Sequence, residues 1–321
     1  MIQAIRWENG KLYLLDQRPL PHKEEWLTLT SWQEVRDAIR NMVVRGAPAI
    51  GVTAAYGMAL AARNGDDLQE ANIGLASSRP TAVNLFWALK RIEQLDSCSP
   101  EAIEAEAIAI EAEDRALCQS IGEYGAELVP ENARVLTICN TGSLATAGIG
   151  TALGIIRTAH SQGKVKHVYS CETRPRQQGL KLTAWELLQD GIPFQSIPDS
   201  AAASLMQAGQ VDFIVAGADR IAANGDSANK VGTLMLAICA KRFGIPFVIA
   251  APTTTIDQSM SDGLQIPIEE RDASELTEVD GHRVAPNGCP VFNPGFDVTP
   301  ADLITHIVTE ERAFSGPYNF S

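Results

Sequence analysis

From Arg134 onward, short apolar runs alternate with helix-length segments, and this alternation constrains the chain more than any other feature. Residues 135–138, 167–170, 194–197, 213–216 and 247–250 each read as a strand. The intervening spacing predicts one helix ending near His160, helices over 180–189 and 200–207, and another from about Lys230 to Phe243. Strands alternating with helices of this length form β-α-β units and a parallel sheet. In such sheets ligands bind beyond the carboxyl ends of the strands. Residues 252–299, rich in Pro, Gly and Asp, read as long loops near that edge.

The first 130 residues read differently. Ile5-Arg6-Trp7 and Leu12-Tyr13-Leu14 flank Glu8-Asn9-Gly10, a strong hairpin signal. Ser31 and Glu34 have the spacing of a capping box ahead of Val35, Ile39 and Met42. Residues 49–63 read as a buried small-residue helix, 81–95 as a helix after Pro80, and Pro100 opens a long helix to about Val129. The Glu/Ala repeats of that helix read as a solvated face. The expected class is α/β: a mainly helical domain over 1–130 carrying a β-hairpin, then a parallel-sheet domain over 131–321.

Composition narrows the function. The chain has 26 Lys and Arg against 39 Asp and Glu, a formal charge of −13. So acidic a chain argues against nucleic-acid binding, which relies on Lys and Arg neutralising phosphates. A small anion remains compatible, because a few cations and backbone N–H groups suffice to bind one. The opening residues carry Arg6, Glu8 and Lys11 without an apolar core, so no secretory signal is expected. Residues 49–62 are too short and too broken by Gly and Thr to span a bilayer, so no membrane association is expected. Six scattered cysteines without a Cys-x-x-Cys pair give no support for structural zinc. Free thiols in a reducing compartment are the expectation.

Several segments carry candidate chemistry. Gly148-Ile149-Gly150-Thr151-Ala152-Leu153-Gly154 resembles a dinucleotide fingerprint, but it lies well past its strand, inside the expected helix, and its third glycine is one place late. It reads as close helix packing rather than a cofactor loop. Cys139 follows the 135–138 strand and precedes Asn140-Thr141-Gly142-Ser143. A helix start beside it would lower the thiol pKa, whereas a small buried residue is the alternative. Asp219, three residues past the 213–216 strand, would titrate high in an apolar setting or else serve as a turn residue. Asn229-Lys230, Arg45-Gly46-Ala47-Pro48 and Arg79-Pro80 each place a cation at an expected helix start, the setting of an anion site. Together they point to a small phosphorylated ligand.

These segments resemble the methylthioribose-1-phosphate isomerase family. The matching stretches are Val43-Val44-Arg45-Gly46-Ala47-Pro48-Ala49-Ile50-Gly51, Ser78-Arg79-Pro80-Thr81-Ala82-Val83-Asn84 and Cys139-Asn140-Thr141-Gly142. They continue with Glu172-Thr173-Arg174-Pro175 before Gln178-Gly179, Gly217-Ala218-Asp219-Arg220-Ile221, Asn224-Gly225-Asp226 and Asn229-Lys230-Val231-Gly232-Thr233. The resemblance runs from about residue 5 to about residue 310. It implies a cytoplasmic enzyme of methionine salvage that needs no metal or other cofactor, a homodimer, and a Rossmann-like second domain. It implies Cys139 and Asp219 as the catalytic pair. Arg45, Gly46, Ala47, Arg79, Gln178, Asn229 and Lys230 match the family's substrate contacts. The family often has histidine directly before the cysteine; here Ile138 stands there. A related family isomerises ribose 1,5-bisphosphate. The non-enzymatic regulatory subunits of the translation-initiation exchange factor share the architecture but lack the Cys-Asn-Thr-Gly turn.

Overall fold

The computed structural model describes residues 2–79 and 82–320. Three antiparallel strands open the chain: β1 (Ile5–Glu8), β2 (Lys11–Asp16) and β3 (Glu25–Leu29). The expected hairpin is β1–β2. Its register pairs Trp7 with Leu12 and Glu8 with Lys11, and the intervening Asn9 and Gly10 have φ of 51° and 71°. Two left-handed residues match the turn to the twist of the strands, which is why Asn-Gly is favoured there.

Five helices follow: α1 (Trp32–Arg40), α2 (Ala47–Asn64), α3 (Leu68–Ala76), α4 (Val83–Glu93) and α5 (Pro100–Glu127). Ser31 and Glu34 form the expected capping box on α1. Pro80 and Thr81, expected at the start of α4, lie outside the described residues. Every residue from Ala49 to Ala61 on α2 is buried, and α1, α3, α4 and α5 pack around it. A helix enclosed on all sides must be small and apolar throughout, as this one is.

The acids of α5 are not simply a solvated face. Glu111 and Asp114 are buried. Glu111 accepts the Tyr56 hydroxyl and pairs with Arg115 at 2.6 Å. Asp114 accepts the Ala147 N–H at 2.6 Å. Two long-range hydrogen bonds thus replaced the solvent that periodicity alone had assigned to this side of the helix.

The main sheet comprises β4 (Ala133–Thr137), β5 (Val165–Cys171), β6 (Phe194–Ile197), β7 (Phe213–Ala216), β10 (Phe247–Ala250), β15 (His306–Val308) and β16 (Ala313–Ser315), in the order β16-β15-β10-β7-β4-β5-β6. Every pairing is parallel except β15–β16. Alternate side chains serve two cores. Val135, Val168, Phe213, Val215 and Val248 pack with α5 and with α6 (Ala152–Ser161). Leu136, Tyr169, Ile214, Ala216 and Ile249 pack with α8 (Ala202–Gln207) and α9 (Thr233–Phe243). Burial on both faces is what gives these strands unbroken apolar runs. Between β5 and β6 a wider π turn, Gly179–Thr183, runs directly into α7 (Ala184–Gln189).

A second sheet stands over the carboxyl edge. It contains β8 (Arg220–Ala222), β9 (Ser227–Lys230), β11 (Ile256–Asp257) and β14 (Phe296–Thr299), in the order β11-β8-β9-β14. The long 252–299 segment supplies β11, β14, the short α10 (Ser274–Thr277) and the pair β12 (Glu278–Val279) and β13 (His282–Arg283). Two expectations are corrected. The helix expected from Lys230 begins at Thr233, because 227–230 are extended in β9. The helix expected soon after Cys139 begins only at Ala152, so Gly148 and Gly150 lie in a loop and only Gly154 is helical. Their close packing is real, however. Gly150 has φ 92°, and a Cβ there would lie 2.3 Å from the Thr141 carbonyl oxygen. No helix among the described residues is long and apolar enough to cross a membrane.

Burial pushes the Asp114 carboxyl up to about 6, against the Ala147 N–H and the Arg115 charge. The folded chain therefore holds this proton more tightly than the unfolded one. The cost of charging Asp114 is absent below about pH 4, grows toward pH 6, and is fully present above it. Asp114→Asn should accordingly improve stability more at pH 7.5 than at pH 4.5, by at most about 3 kcal/mol. Urea unfolding at both pH values measures this. An equal effect at both would show that Asp114 is not the titrating group.

Candidate active site

Strands β4 and β7 are parallel neighbours, with Leu136 opposite Ile214 and Thr137 opposite Val215. Their carboxyl ends lie side by side. One delivers Cys139 and the other Asp219 to a single cavity of about 130 Å³. The site is therefore a consequence of strand order, as expected for a parallel sheet.

Cys139 sits at φ 68°, a left-handed conformation uncommon for a residue with a Cβ. Its N–H donates to Thr173 Oγ1 at 2.9 Å, and its carbonyl accepts the Thr183 hydroxyl at 2.6 Å. The following residues are held by Glu186. Its carboxylate accepts the Asn140 side-chain amide and the Ser143 N–H, both at 2.7 Å, and pairs with Arg157 at 2.9 Å. A Cβ on Gly142 would lie 2.3 Å from a Glu186 oxygen, so the motif needs glycine there.

The thiol does not have the environment the sequence suggested. The helix that follows it in the chain, α6, starts only at Ala152, and its first turn is occupied by Thr141, whose Oγ1 accepts the Leu153 N–H at 3.1 Å. Burial pushes the Cys139 thiol up rather than down. Lys230 pulls it back, Asp219 pushes it further up, and the Asn140 N–H and Arg45 favour the thiolate. Ile138, directly before it, is fully buried.

Asp219 lies at the carboxyl end of β7 and lines the cavity. Its N–H donates to Ala228 O at 2.9 Å, which anchors it to the β8–β9 hairpin. Burial raises its pKa, with Lys230 and Arg79 pulling down and Glu269 pushing up. The carboxyl is biased toward its protonated form.

All the remaining sequence candidates line this cavity: Arg45, Gly46, Ala47, Arg79, Gln178, Asn229 and Lys230. Gly46 caps α2 at φ 91°, and a Cβ would lie 2.3 Å from the Ala145 carbonyl oxygen. Arg45 Nε is buried without a hydrogen-bond partner among the described residues. Burial, then the like charge of Arg176, lowers its pKa to about 10. Burial likewise lowers that of Arg79, whose Nη1 lies 3.0 Å from Met42 Sδ. Gln178 Oε1 is also buried without a partner among the described residues.

The setting of Asn229 and Lys230 needs correction. They lie in β9, opposite Asp297 and Phe296 of β14. Asp297 occupies the α9 N-terminus, accepting the Gly232 N–H at 2.7 Å and the Leu234 N–H at 3.1 Å. That helix end is therefore not free to bind a ligand anion. Lys230 reaches the cavity from a strand, with Nζ 2.7 Å from Gly295 O and 4.3 Å from the Phe296 ring centre.

The cavity also contains groups that the motifs did not single out: Arg176, Arg271, Glu269 and Phe296. Arg176 lies between two quoted motifs, and its pairing with Glu275 at 2.6 Å is a long-range contact. Glu269, Arg271 and Phe296 come from the 252–299 loops, where no local pattern marks them. Among the described residues, no group of three or more His, Cys, Asp and Glu could hold a metal ion.

The Initiation factor 2 subunit family matches residues 43–315. A protein of Alcanivorax borkumensis named methylthioribose-1-phosphate isomerase is 53% identical over 98% of this chain and 94% of its own. The solved structure of 5-methylthioribose 1-phosphate isomerase from Pyrococcus horikoshii is similar, with a TM-score of 0.95 and 43% identity. It covers 99% of this chain and 94% of that one. A structure from A. fulgidus named translation initiation factor eIF-2B, subunit delta, has a TM-score of 0.88 and 41% identity, over 99% and 97% of the two chains.

An unpaired, partly desolvated guanidinium beside a helix N-terminus is a site for an oxyanion. Inorganic phosphate should therefore raise the melting temperature, adding about 1.4 kcal/mol at ten times its Kd. Arg45→Met should lose that gain, as measured by thermal unfolding with and without phosphate. An unchanged gain would place the anion elsewhere.

Proposed function

The chain belongs to the Initiation factor 2 subunit family and, within it, to the methylthioribose-1-phosphate isomerases, and from that premise we propose how its cavity works. It is an aldose–ketose isomerase of methionine salvage. It converts 5-methylthio-α-D-ribose 1-phosphate into 5-methylthio-D-ribulose 1-phosphate. The observation that carries the mechanism is the meeting of Cys139 and Asp219 with Arg45, Arg79 and Lys230 in one buried cavity. As the family implies, the enzyme works as a homodimer in the cytoplasm.

The anomeric oxygen of this substrate carries phosphate, so the sugar cannot relax to a free aldehyde. Opening the ring needs an acid. Asp219, biased to its protonated form by burial, donates to the ring oxygen, and the C1–O bond breaks with its electron pair on that oxygen. Cys139 as thiolate takes the C2 proton. The C–H pair becomes the C1–C2 double bond of an enol that keeps its phosphate. A proton returns to C1, the C2 hydroxyl loses its own, and the ketose results.

The two groups titrate as a pair. A charged Asp219 pushes the Cys139 thiol up, so protonating Asp219 favours the thiolate. The protonated-acid, thiolate-base arrangement is the one that the reaction uses, and Lys230 favours the thiolate. Arg45, Arg79 and Lys230 hold the phosphate, and Gly46, Ala47, Gln178 and Asn229 orient the sugar.

A second lobe of about 320 Å³ shares Gly46, Arg79, Asp219 and Phe296 with the cavity. Its walls include Ile50, Val83, Ala228, Ile266 and Ile268. It receives the methylthio group. Arg79, Arg220 and Glu269 also line it, and Arg220 is paired with Asp257 at 3.6 Å; the aliphatic walls are what favour a methylthio group over a second phosphate at C5.

Cys139→Ser and Asp219→Asn should each lower kcat by roughly 100- to 10,000-fold with the fold intact. A near-wild-type rate for either would remove it from the mechanism. The two sugars, run in parallel and followed by NMR, should show ketose formation from the methylthio substrate alone; comparable turnover of the bisphosphate would sink the lobe assignment. In deuterium oxide, C1 of the product should acquire deuterium by proton exchange. Product without it would point to a hydride shift or to a proton returned within a shielded site.

A further inference from the structure

The peptide unit between Cys139 and Asn140 is gripped from outside the cavity. Its carbonyl accepts the Thr183 hydroxyl at 2.6 Å. The Asn140 side-chain amide donates to Glu186 Oε1 at 2.7 Å and to Thr183 Oγ1 at 3.3 Å. A trans peptide is planar, so its C=O and N–H point in opposite directions. Holding the carbonyl toward Thr183 turns the Asn140 N–H the other way. There it acts on the Cys139 sulfur and favours the thiolate.

The left-handed backbone of Cys139 makes this support necessary. A residue with a Cβ stays in that region only when its surroundings impose it. Thr183 closes the wider turn Gly179–Thr183, and Glu186 lies three residues on, in α7. Single-turn widenings of this kind recur at functional sites. The same stretch follows Gln178, which lines the cavity. Thr183 and Glu186 are buried, and neither lines the cavity. Thr183 reaches the site through the 139–140 peptide, and Glu186 through that peptide and the Ser143 N–H.

We propose that Thr183 and Glu186 are positioning residues that lock the Cys139–Asn140 peptide plane with its N–H toward the Cys139 sulfur. The proposal rests on Cys139 acting as the base. The charged groups acting on the sulfur are Lys230 in β9, Asp219 after β7 and Arg45 before α2. None of the three bonds to Thr183 or Glu186 among the described residues.

The test uses the whole purified enzyme. Alkylation of Cys139 by iodoacetamide is followed against pH by mass spectrometry of the Cys139 peptide, which separates it from the other cysteines. Thr183→Val keeps the side-chain volume and removes the hydroxyl. It should move the alkylation midpoint up by about one pH unit and lower kcat about tenfold, the scale of one hydrogen bond acting on a charge. KM should stay within about twofold. Thr183→Ser should restore both quantities, and Glu186→Gln should shift both in the valine direction. If valine at 183 prevents folding, the serine and glutamine variants decide. A folded Thr183→Val with wild-type midpoint and kcat overturns the proposal, as does a folded Glu186→Gln with both unchanged or a serine variant no better than valine. Full turnover by Cys139→Ser would instead overturn the assignment of the base, while the alkylation midpoint would still report on the peptide.

Discussion

A carboxylate with no exposed surface holds the 139–151 loop in place. Glu186 faces Arg157 in a buried pair and also accepts from Asn140 and Ser143. Arg157 in turn donates to Asp190, to the Ser143 hydroxyl and to the Ile149 carbonyl. One ion pair thus spans both ends of the 139–151 loop. Losing Arg157 would leave the buried Glu186 without a cation, at a cost of about 3–5 kcal/mol, whereas Arg157 keeps Asp190 as a second partner. The long loop before α6 is therefore a braced structure, and Cys139, Gly46 and the α2 N-terminus take their places from it.

The cavity couples two opposing consequences of burial. Removal from water disfavours every charged form, raising Asp219 and Cys139 while lowering Arg45 and Arg79. In the proposed mechanism the acid gains from this, because a protonated carboxyl is what ring opening requires. The thiol loses, and recovers through Lys230, Arg45, the Asn140 amide and the protonation of its neighbour. The cations have incomplete protein pairing, which leaves room for a phosphate. This local concentration of positive charge sits within a chain whose formal net charge is −13.

Shared fold and shared chemistry are separate matters here. A structure named as a translation-factor subunit has the same architecture at 41% identity, close to the 43% of the isomerase from Pyrococcus horikoshii. Architecture alone does not choose between such roles. The choice rests on the site: a cysteine at one strand end, an acid at the next, and an apolar lobe beside them.

The sequence by itself determined five of the seven strands of the main sheet, the Asn-Gly hairpin and the capping box on α1, because each depends on local pattern or local backbone chemistry. The resemblance of its motifs to a known family named nine residues, and all nine line the cavity. The sequence misplaced what depends on distant partners. Ser227 to Lys230 became a strand because β14 pairs with it, and Asp297, far along the chain, filled the helix end assigned to a ligand. Glu111 and Asp114 left solvent because Tyr56 and Ala147 meet them. The thiol's environment was decided by a loop held open from Glu186, and Glu269, Arg271 and Phe296 entered the cavity from loops without periodicity. Local conformational preference is written in neighbouring residues; burial and charge pairing exist only once the chain has folded.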